Sequence, residues 1–283
     1  MITRFAPSPT GPLHLGHAYS ALYAFDYATK NSGKFLLRIE DIDRSRSRDH
    51  WEQQIYDDLR WLGVAWAKPV MRQSERLSAY SDALNTLINK GLIYRCSCSR
   101  RDIAEALSAP QEGAIQYGPD GMVYPGTCRD KNLAITSGYT STLRLNMKKA
   151  LATIEEDLKF EERVFDPRVH SIDPESLTRQ VGDIVLARKD MGTSYHLSVV
   201  VDDAAQHVTD VIRGEDLFEA TQIHVLLQKL LGLPTPIYHH HRLVRDEAGK
   251  RLAKRDDARA IAKYRQDGCT PVDIRQMVKV YGG

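Results

Sequence analysis

The 283-residue chain reads as an α/β fold interrupted by an insertion, and three observations carry that reading. First, Thr3 to Phe5 is strand-like, an amphipathic run with Ala18, Ala21, Leu22 and Phe25 on one face follows, and the apolar segment Lys34 to Ile39 completes a strand-helix-strand crossover. Second, from Tyr94 to about Gln180 the texture changes to cysteines, glycines, prolines and alternating stretches suited to antiparallel strands. Third, the α/β pattern resumes at Asp183. The predicted division is 1–94, 95–180 and 181–283, the outer segments forming one domain and the middle one inserted into it.

Each element has a local cause. Alternating prolines between Ala6 and Pro12 remove backbone donors and force an extended or turn conformation, so the first helix begins only after them and ends at Asn31-Ser32-Gly33. Helices are predicted at about Arg48 to Leu62 and Ser74 to Asn89, the second closed by Gly91. Ser141 to Asn146 and Leu158 to Phe165 alternate as antiparallel strands do. Then come strands at Ile184 to Arg188, Ser194 to Val201 and Val208 to Arg213, a helix from about Phe218 to Leu231 stopped by Gly232, and a basic loop and helical tail from Arg242 to Gly283.

A hydrophobic content of 42% supports a core without disulfide staples. No run approaches about 18 apolar residues and no basic-then-apolar leader opens the chain, which predicts a cytoplasmic protein with no membrane partner. There the four cysteines stay reduced, and three of them cluster as metal ligands do. The net charge of +2 does not mark a polyanion binder, but Arg242, Arg245, Lys250, Arg251, Lys254, Arg255, Arg259, Lys263 and Arg265 outnumber the acids around them, where a phosphate-rich ligand could be met.

His14-Leu15-Gly16-His17 stands at a helix start, where unpaired N–H groups and partial positive charge favour phosphate. Gly16 admits close backbone approach, and both histidines can donate to phosphate oxygens. Far downstream, Lys250, Arg251, Lys254 and Arg255 form a basic loop able to close on a triphosphate.

The ordered set PSPTGPLHLGH, RIEDID (Arg38 to Asp43), VVVDDAAQHVTDVIRGEDL (Val199 to Leu217) and RLAKR (Arg251 to Arg255) resembles the signatures of class I glutamyl-tRNA synthetases. The resemblance implies a Rossmann-type catalytic domain with an acceptor-type insertion, using ATP with Mg²⁺ to turn L-glutamate into glutamyl-adenylate. His14, His17 and Lys254 are then the catalytic residues, and Gly16, Gly214 and Glu215 join them around ATP. RLAKR departs from the lysine-loop signature at Arg251 and Ala253, while Lys254 matches its second lysine.

A ligand with two carboxylates and an ammonium needs arginine and acid partners, bidentate arginine discriminating against glutamine. The resemblance assigns Arg4 and Arg213 to carboxylates, Glu40 to the ammonium, and Tyr195 and Ser8 to further hydrogen bonds, within the run Arg4-Phe5-Ala6-Pro7-Ser8.

Cys96, Cys98 and Cys128 supply three thiolates of a tetrahedral zinc shell, and with no histidine between Arg95 and Asp130 the fourth ligand is left to Tyr117 or Tyr124. Cys269 reads as an ordinary thiol. Only residues 256–283 follow Arg255, too few for an anticodon-binding domain. This resembles the truncated branch of the family that attaches glutamate, activated without tRNA, to queuosine in the anticodon of tRNA(Asp). That branch carries a Cys-x-Cys and Tyr-x-x-x-Cys zinc site, which Tyr124 and Cys128 match, and the chain is expected to act as a monomer. The competing readings are a shortened enzyme charging the 3′ end of tRNA, a silent nucleotide- or RNA-binding paralogue, and an adenylyl-forming enzyme unrelated to tRNA.

Overall fold

The computed structural model describes residues 1–107, 117–131, 133–135, 141–244 and 259–278. Strand β1 (Ile2–Phe5) leads through the proline segment into helix α1 (Leu15–Lys30), and β2 (Lys34–Ile39) returns parallel to β1 with Arg4 opposite Leu36. Helix α2 (Asp49–Trp61) then delivers β3 (Ala67–Arg72), parallel to β2. Strand β3 was not expected, because Pro69 and the charged ends of AKPVMR hide an edge strand.

Helix α3 (Leu77–Asn89) runs into β4 (Ile93–Cys96), followed by α4 (Arg100–Leu107) and a short hairpin of β5 (Tyr117–Gly118) and β6 (Gly121–Met122). Next come β7 (Thr142–Leu145), α5 (Met147–Ala152), β8 (Lys159–Glu162), β9 (Arg168–Ser171), α6 (Pro174–Ser176) with a π-type turn over Leu177–Val181, and β10 (Val185–Ala187). Strands β4, β7 and β10 form an antiparallel sheet with β7 in the middle.

Helix α7 (Tyr195–Ala205), β11 (Asp210–Gly214), α8 (Thr221–Leu231), β12 (Ile237–His241), α9 (Ile261–Gln266) and α10 (Pro271–Val278) complete the described chain. Strand β12 is parallel to β11 and to β8, and β8 pairs antiparallel with β9, so part of segment 95–180 is built into the same sheet as β11 and β12. Beside β1, β11 is tied in where Thr209 N–H donates to the Ile2 carbonyl at 3.0 Å.

The expected strand Ser194 to Val201 is instead helix α7. Ser194 caps it, its Oγ accepting from Leu197 N–H at 3.4 Å. The β-branched run Val199-Val200-Val201 suggested a strand, but Leu197, Val199 and Val200 are buried in the largest core cluster, and packing overrides intrinsic preference. That cluster joins α3, β7, α7 and α8; a second joins β1, α1, β2, α2 and α10; a third and smaller one gathers Cys96, Ile103, Tyr124 and Cys128. No helix among the described residues is long and apolar enough to cross a membrane.

Candidate active site

Connections leave β1 through α1 to β2 on one side, and β11 through α8 to β12 on the other. The carboxyl ends of β1 and β11 therefore flank a topological switch point, where open parallel sheets leave a crevice. Arg4 and Phe5 end β1, Arg213 and Gly214 end β11, and α1 starts above them.

His14 is the N-cap of α1. Its Nδ1 accepts from Gly16 N–H at 3.1 Å, and its own N–H donates to His17 Nδ1 at 3.1 Å. Both rings therefore spend Nδ1 as acceptor, and in the neutral imidazoles the proton sits on Nε2. HLGH thus presents two Nε2–H donors at the positive end of a helix dipole. A Cβ on Gly16 would lie 3.0 Å from His14 Cε1, so the glycine makes room for the capping ring as well as for backbone approach. His14 also bridges Ala260, and Ile261 N–H donates to the Leu13 carbonyl at 2.8 Å. Lys254, with Arg251 and Ala253, lies outside the described residues. Of the basic residues near it, Arg259 and Lys263 pair with Asp267, and Arg242 stacks over Tyr19.

Arg4 is buried; its Nε donates to Asp203 at 3.0 Å and its Nη1 to the Ile212 carbonyl at 3.3 Å. Arg38 Nη1 donates to the same Asp203 oxygen at 2.7 Å, and its Nη2 to Glu40 at 3.2 Å. Burial opposes ionisation of Asp203, yet the two guanidiniums hold its carboxyl below the usual range. Glu40 is shifted the other way, burial outweighing Arg38 and Arg4. The Tyr195 hydroxyl is pushed up by burial, and the charges of Arg213, Glu40 and Arg4 all reach it, so these four predicted residues converge. Pro7 and Ala6 run beside β2, the Pro7 carbonyl accepting from Glu40 N–H at 3.0 Å; Phe5 is packed in the core and Ser8 is exposed. Gly214 ends β11 and Glu215 follows it, with Glu215 accepting from Leu243 N–H at 3.3 Å.

Arg213 is held differently. Its Nε donates to His240 Nε2 and its Nη1 to His224 Nδ1, both at 3.0 Å; its Nη2 donates to Thr221 Oγ1 at 2.8 Å and to the Leu217 carbonyl at 3.2 Å. Burial lowers the basicity of both His224 and His240, so both are neutral at pH 7. Among the described residues Arg213 has hydrogen-bond acceptors but no carboxylate partner. A buried guanidinium without a counter-charge is costly and is the complement of an anionic ligand.

Beneath Arg213, His240 Nδ1–H donates to Glu162 at 2.6 Å. Burial alone would raise the Glu162 carboxyl, but hydrogen bonds from His240 and from the backbone of Phe165 and Val164 pull it down to about 2. His224 and His240 resist a proton that the unfolded chain accepts near pH 6.5, and Glu162 resists one it accepts near 4.5, so stability falls as pH falls through both windows. The Glu162 shift corresponds to about 3 kcal/mol, lost between pH 4.5 and 2. Urea denaturation across this range should give a steepening acid limb, shallower in Glu162→Gln; parallel limbs in the two proteins would contradict the assignment.

The thiols of Cys96, Cys98 and Cys128 lie within 4.8 Å of one another, a cluster able to hold a metal ion. Tyr124 Oη sits 3.4 Å from both Cys96 and Cys98 Sγ and accepts from Cys128 N–H at 2.9 Å, whereas Tyr117 is 73% exposed. The Arg144 guanidinium lies 3.9 Å from the Tyr124 ring centroid, a positive charge suited to a shell rich in thiolate.

Sequence reasoning gave no role to Arg38, Asp203, His224, His240 or Glu162. The adjacent acids Asp202 and Asp203 inside an apolar run were the available signal, since buried carboxylates require partners.

A family model described as tRNA synthetases class I (E and Q), catalytic domain, matches residues 1–282. The chain is 62% identical over 279 residues to a glutamyl-Q tRNA(Asp) synthetase of Rhodobacter capsulatus, covering 98% of this chain and 99% of that protein. It is 34% identical to a glutamate–tRNA ligase of Aquifex aeolicus, covering 95% of this chain and 54% of that one. The solved glutamate tRNA ligase of Elizabethkingia meningosepticum, in complex with its amino acid, superposes with a TM-score of 0.77 at 26% identity; 99% of this chain is covered, which spans 60% of that structure. With its strands, site and similarities in agreement, the chain belongs to the class I tRNA synthetases for glutamate and glutamine, as a catalytic domain of that family.

Proposed function

We propose that the chain activates L-glutamate with ATP and transfers it to the queuosine base in the anticodon of tRNA(Asp). The observation that carries the activation step is Arg213, buried and surrounded by neutral acceptors, whose charge reaches Tyr195 together with those of Arg4 and Glu40. The acceptor is supported by the name of the relative at 62% identity, shared by relatives in Albidiferax ferrireducens and Nocardia farcinica at 41% and 40%.

In this reading Arg4 and Arg213 take the two carboxylates. Glu40 takes the ammonium, which restores the charge that burial disfavours. A carboxylate oxygen of glutamate attacks the α-phosphorus of ATP, the bond to the bridging oxygen breaks, and pyrophosphate leaves with its electron pair. The Nε2–H groups of His14 and His17 donate to the phosphates, with Gly16, Gly214 and Glu215 lining the nucleotide and Lys254 adding positive charge; Mg²⁺ enters with ATP as part of the co-substrate. Positioning supplies most of the rate, because no protein nucleophile is needed. A hydroxyl of the queuosine diol then attacks the carbonyl carbon of the mixed anhydride, the bond from that carbon to the phosphate oxygen breaks, AMP leaves with the electron pair and takes up the hydroxyl proton, and an ester remains on the base. Cys96, Cys98, Cys128 and Tyr124 fit zinc, which would there supply folding free energy and no chemistry.

Glutamate-dependent ATP–pyrophosphate exchange without tRNA, followed by transfer of labelled glutamate to tRNA(Asp) with and without queuosine, tests both steps. Label is expected only in the queuosine-containing tRNA. Label at the 3′ end of tRNA(Glu) would replace the acceptor assignment with that of a shortened tRNA-charging enzyme. Folded protein giving no exchange would leave a silent paralogue.

A further inference from the structure

Arg213 can only donate hydrogen bonds, and this fixes the proton on every histidine around it. His224 Nδ1 accepts from Arg213, so its proton is on Nε2, 3.0 Å from His196 Nδ1. His196 Nδ1 is thereby an acceptor too, and its Nε2–H points to Asp120 Oδ1 at 3.2 Å. On the other side the direction runs from Arg213 to His240 and on to Glu162. A single donor at the centre and a carboxylate at each end leave one consistent arrangement of protons.

Asp120 does not belong to the elements that carry Arg213. It lies in the turn between β5 and β6, a hairpin packed closely against the π-type turn: a Cβ on Gly118 would meet the Gln180 carbonyl oxygen at 2.0 Å, and one on Gly182, just past that turn, would meet the Val123 side chain at 2.8 Å. Val123 and Tyr124 follow β6 directly, and Tyr124 bridges Gly182. The seat of the Asp120 carboxylate is therefore set by the cysteine-bearing segment.

We propose that Asp120, His196 and His224 are positioning residues for Arg213: a tautomer-locked relay through which the seating of the β5–β6 turn sets the affinity for glutamate. It rests on the reading of Arg213 as a carboxylate holder. Four of its five N–H donors are used by protein, which leaves one N–H of Nη1 for a ligand. That N–H shares its nitrogen with the bond to His224, so the seat of the His224 ring bears on how firmly the donor left for a ligand is held.

The test is the KM for glutamate and for ATP in pyrophosphate exchange with the full chain. His224→Leu removes an acceptor for a charged donor and should raise the glutamate KM about 10-fold, with kcat and the ATP KM unchanged. His224→Gln, which keeps an acceptor, should stay within about 2-fold of wild type. Asp120→Ala, at an exposed turn where folding is not at stake, should raise the glutamate KM about 3-fold or more and shift the His196 Nε2–H resonance in ¹⁵N-histidine spectra, the tautomer being held by His224. The double variant Asp120→Ala/His224→Leu should be no worse than His224→Leu alone, because both act on one path. Arg213→Ala is the control that separates two failures. If it raises the glutamate KM while Asp120→Ala and His224→Leu do not, or if those two add independently, the relay is wrong and the site reading stands. If Arg213→Ala leaves the glutamate KM unchanged, the site reading is wrong and the relay falls with it.

Discussion

Arg213→Ala is expected to lower kcat/KM for glutamate activation about 1,000-fold while leaving the ATP KM near its wild-type value. Hydrogen bonds to charged groups contribute about 1.5 to 3 kcal/mol, and loss of the counter-ion for a buried carboxylate brings the total to about 4 kcal/mol, three decades in rate. Stability should respond in a less obvious way. The substitution strands acceptors on His240, His224 and Thr221 but also deletes a buried charge that has no ion-pair partner among the described residues, so the two effects oppose each other. A second readout follows from linkage. Glutamate should raise the melting temperature of the wild type, because it supplies the missing negative charge, and should not raise that of Arg213→Ala. A variant that keeps both its exchange activity and its thermal response to glutamate would exclude Arg213 from the site. Arg4→Lys makes the useful contrast. It keeps the charge but cannot serve Asp203 and Ile212 with a fork while still facing a ligand, so activity should fall with a smaller change in the thermal response.

What the sequence made legible here divides along physical lines. The crossover β1-α1-β2 could be read because its hydrophobic periods change from strand to helix at the prolines, and HLGH because a helix start is a local event with local capping rules. Helix α7 could not, since its three consecutive valines are strand formers and only the core against which they pack makes them helical. Arg4, Glu40, Tyr195 and Arg213 could be named from ordered motifs, but the protein partners that hold each of them could not. Only in three dimensions is Arg4 shared with Asp203 and Arg38, and only there is Arg213 surrounded by neutral histidines from α8 and β12. The cysteines announced themselves by spacing, and the Tyr-x-x-x-Cys resemblance pointed to Tyr124; burial agrees with it, setting that phenol against the thiols and leaving Tyr117 in solvent.

The buried charges under the crevice also explain why these residues come as a set. Arg38 is fully buried and bonds Asp203 and Glu40, while Asp202, one residue before Asp203, accepts from Gln73, Arg76 and Tyr80. Any one of these removed singly would leave a partner charged in a low-dielectric interior, which costs more than the pair contributes. Such a network holds Arg4 and Glu40 in place, which under the proposed function means before substrate arrives. Their geometry is then available to the reaction without reorganisation at the moment of chemistry.

Stripping the protein with a strong chelator is expected to release zinc and to expose the segment between Cys98 and Cys128 to protease. Among the described residues, the small core around Cys96, Ile103, Tyr124 and Cys128 contains few apolar side chains, and small units of this kind ordinarily depend on a metal. Apparent free energies of structural zinc sites near 10 kcal/mol and above mean that metal loss should unfold the unit outright rather than loosen it. Cys128→Ser should reproduce the chelator's effect, because it removes one of the three clustered thiols. Cys269→Ser, outside the cluster, should change neither metal content nor cleavage. Zinc content by atomic absorption and the pattern of limited proteolysis decide the matter without any activity assay. Protein that resists cleavage equally well with and without metal would mean that the thiols pack as ordinary side chains. Should the segment open instead, the β5–β6 turn opens with it, and the glutamate KM of the metal-free protein should then match that of Asp120→Ala, since both sever Arg213 from the same carboxylate.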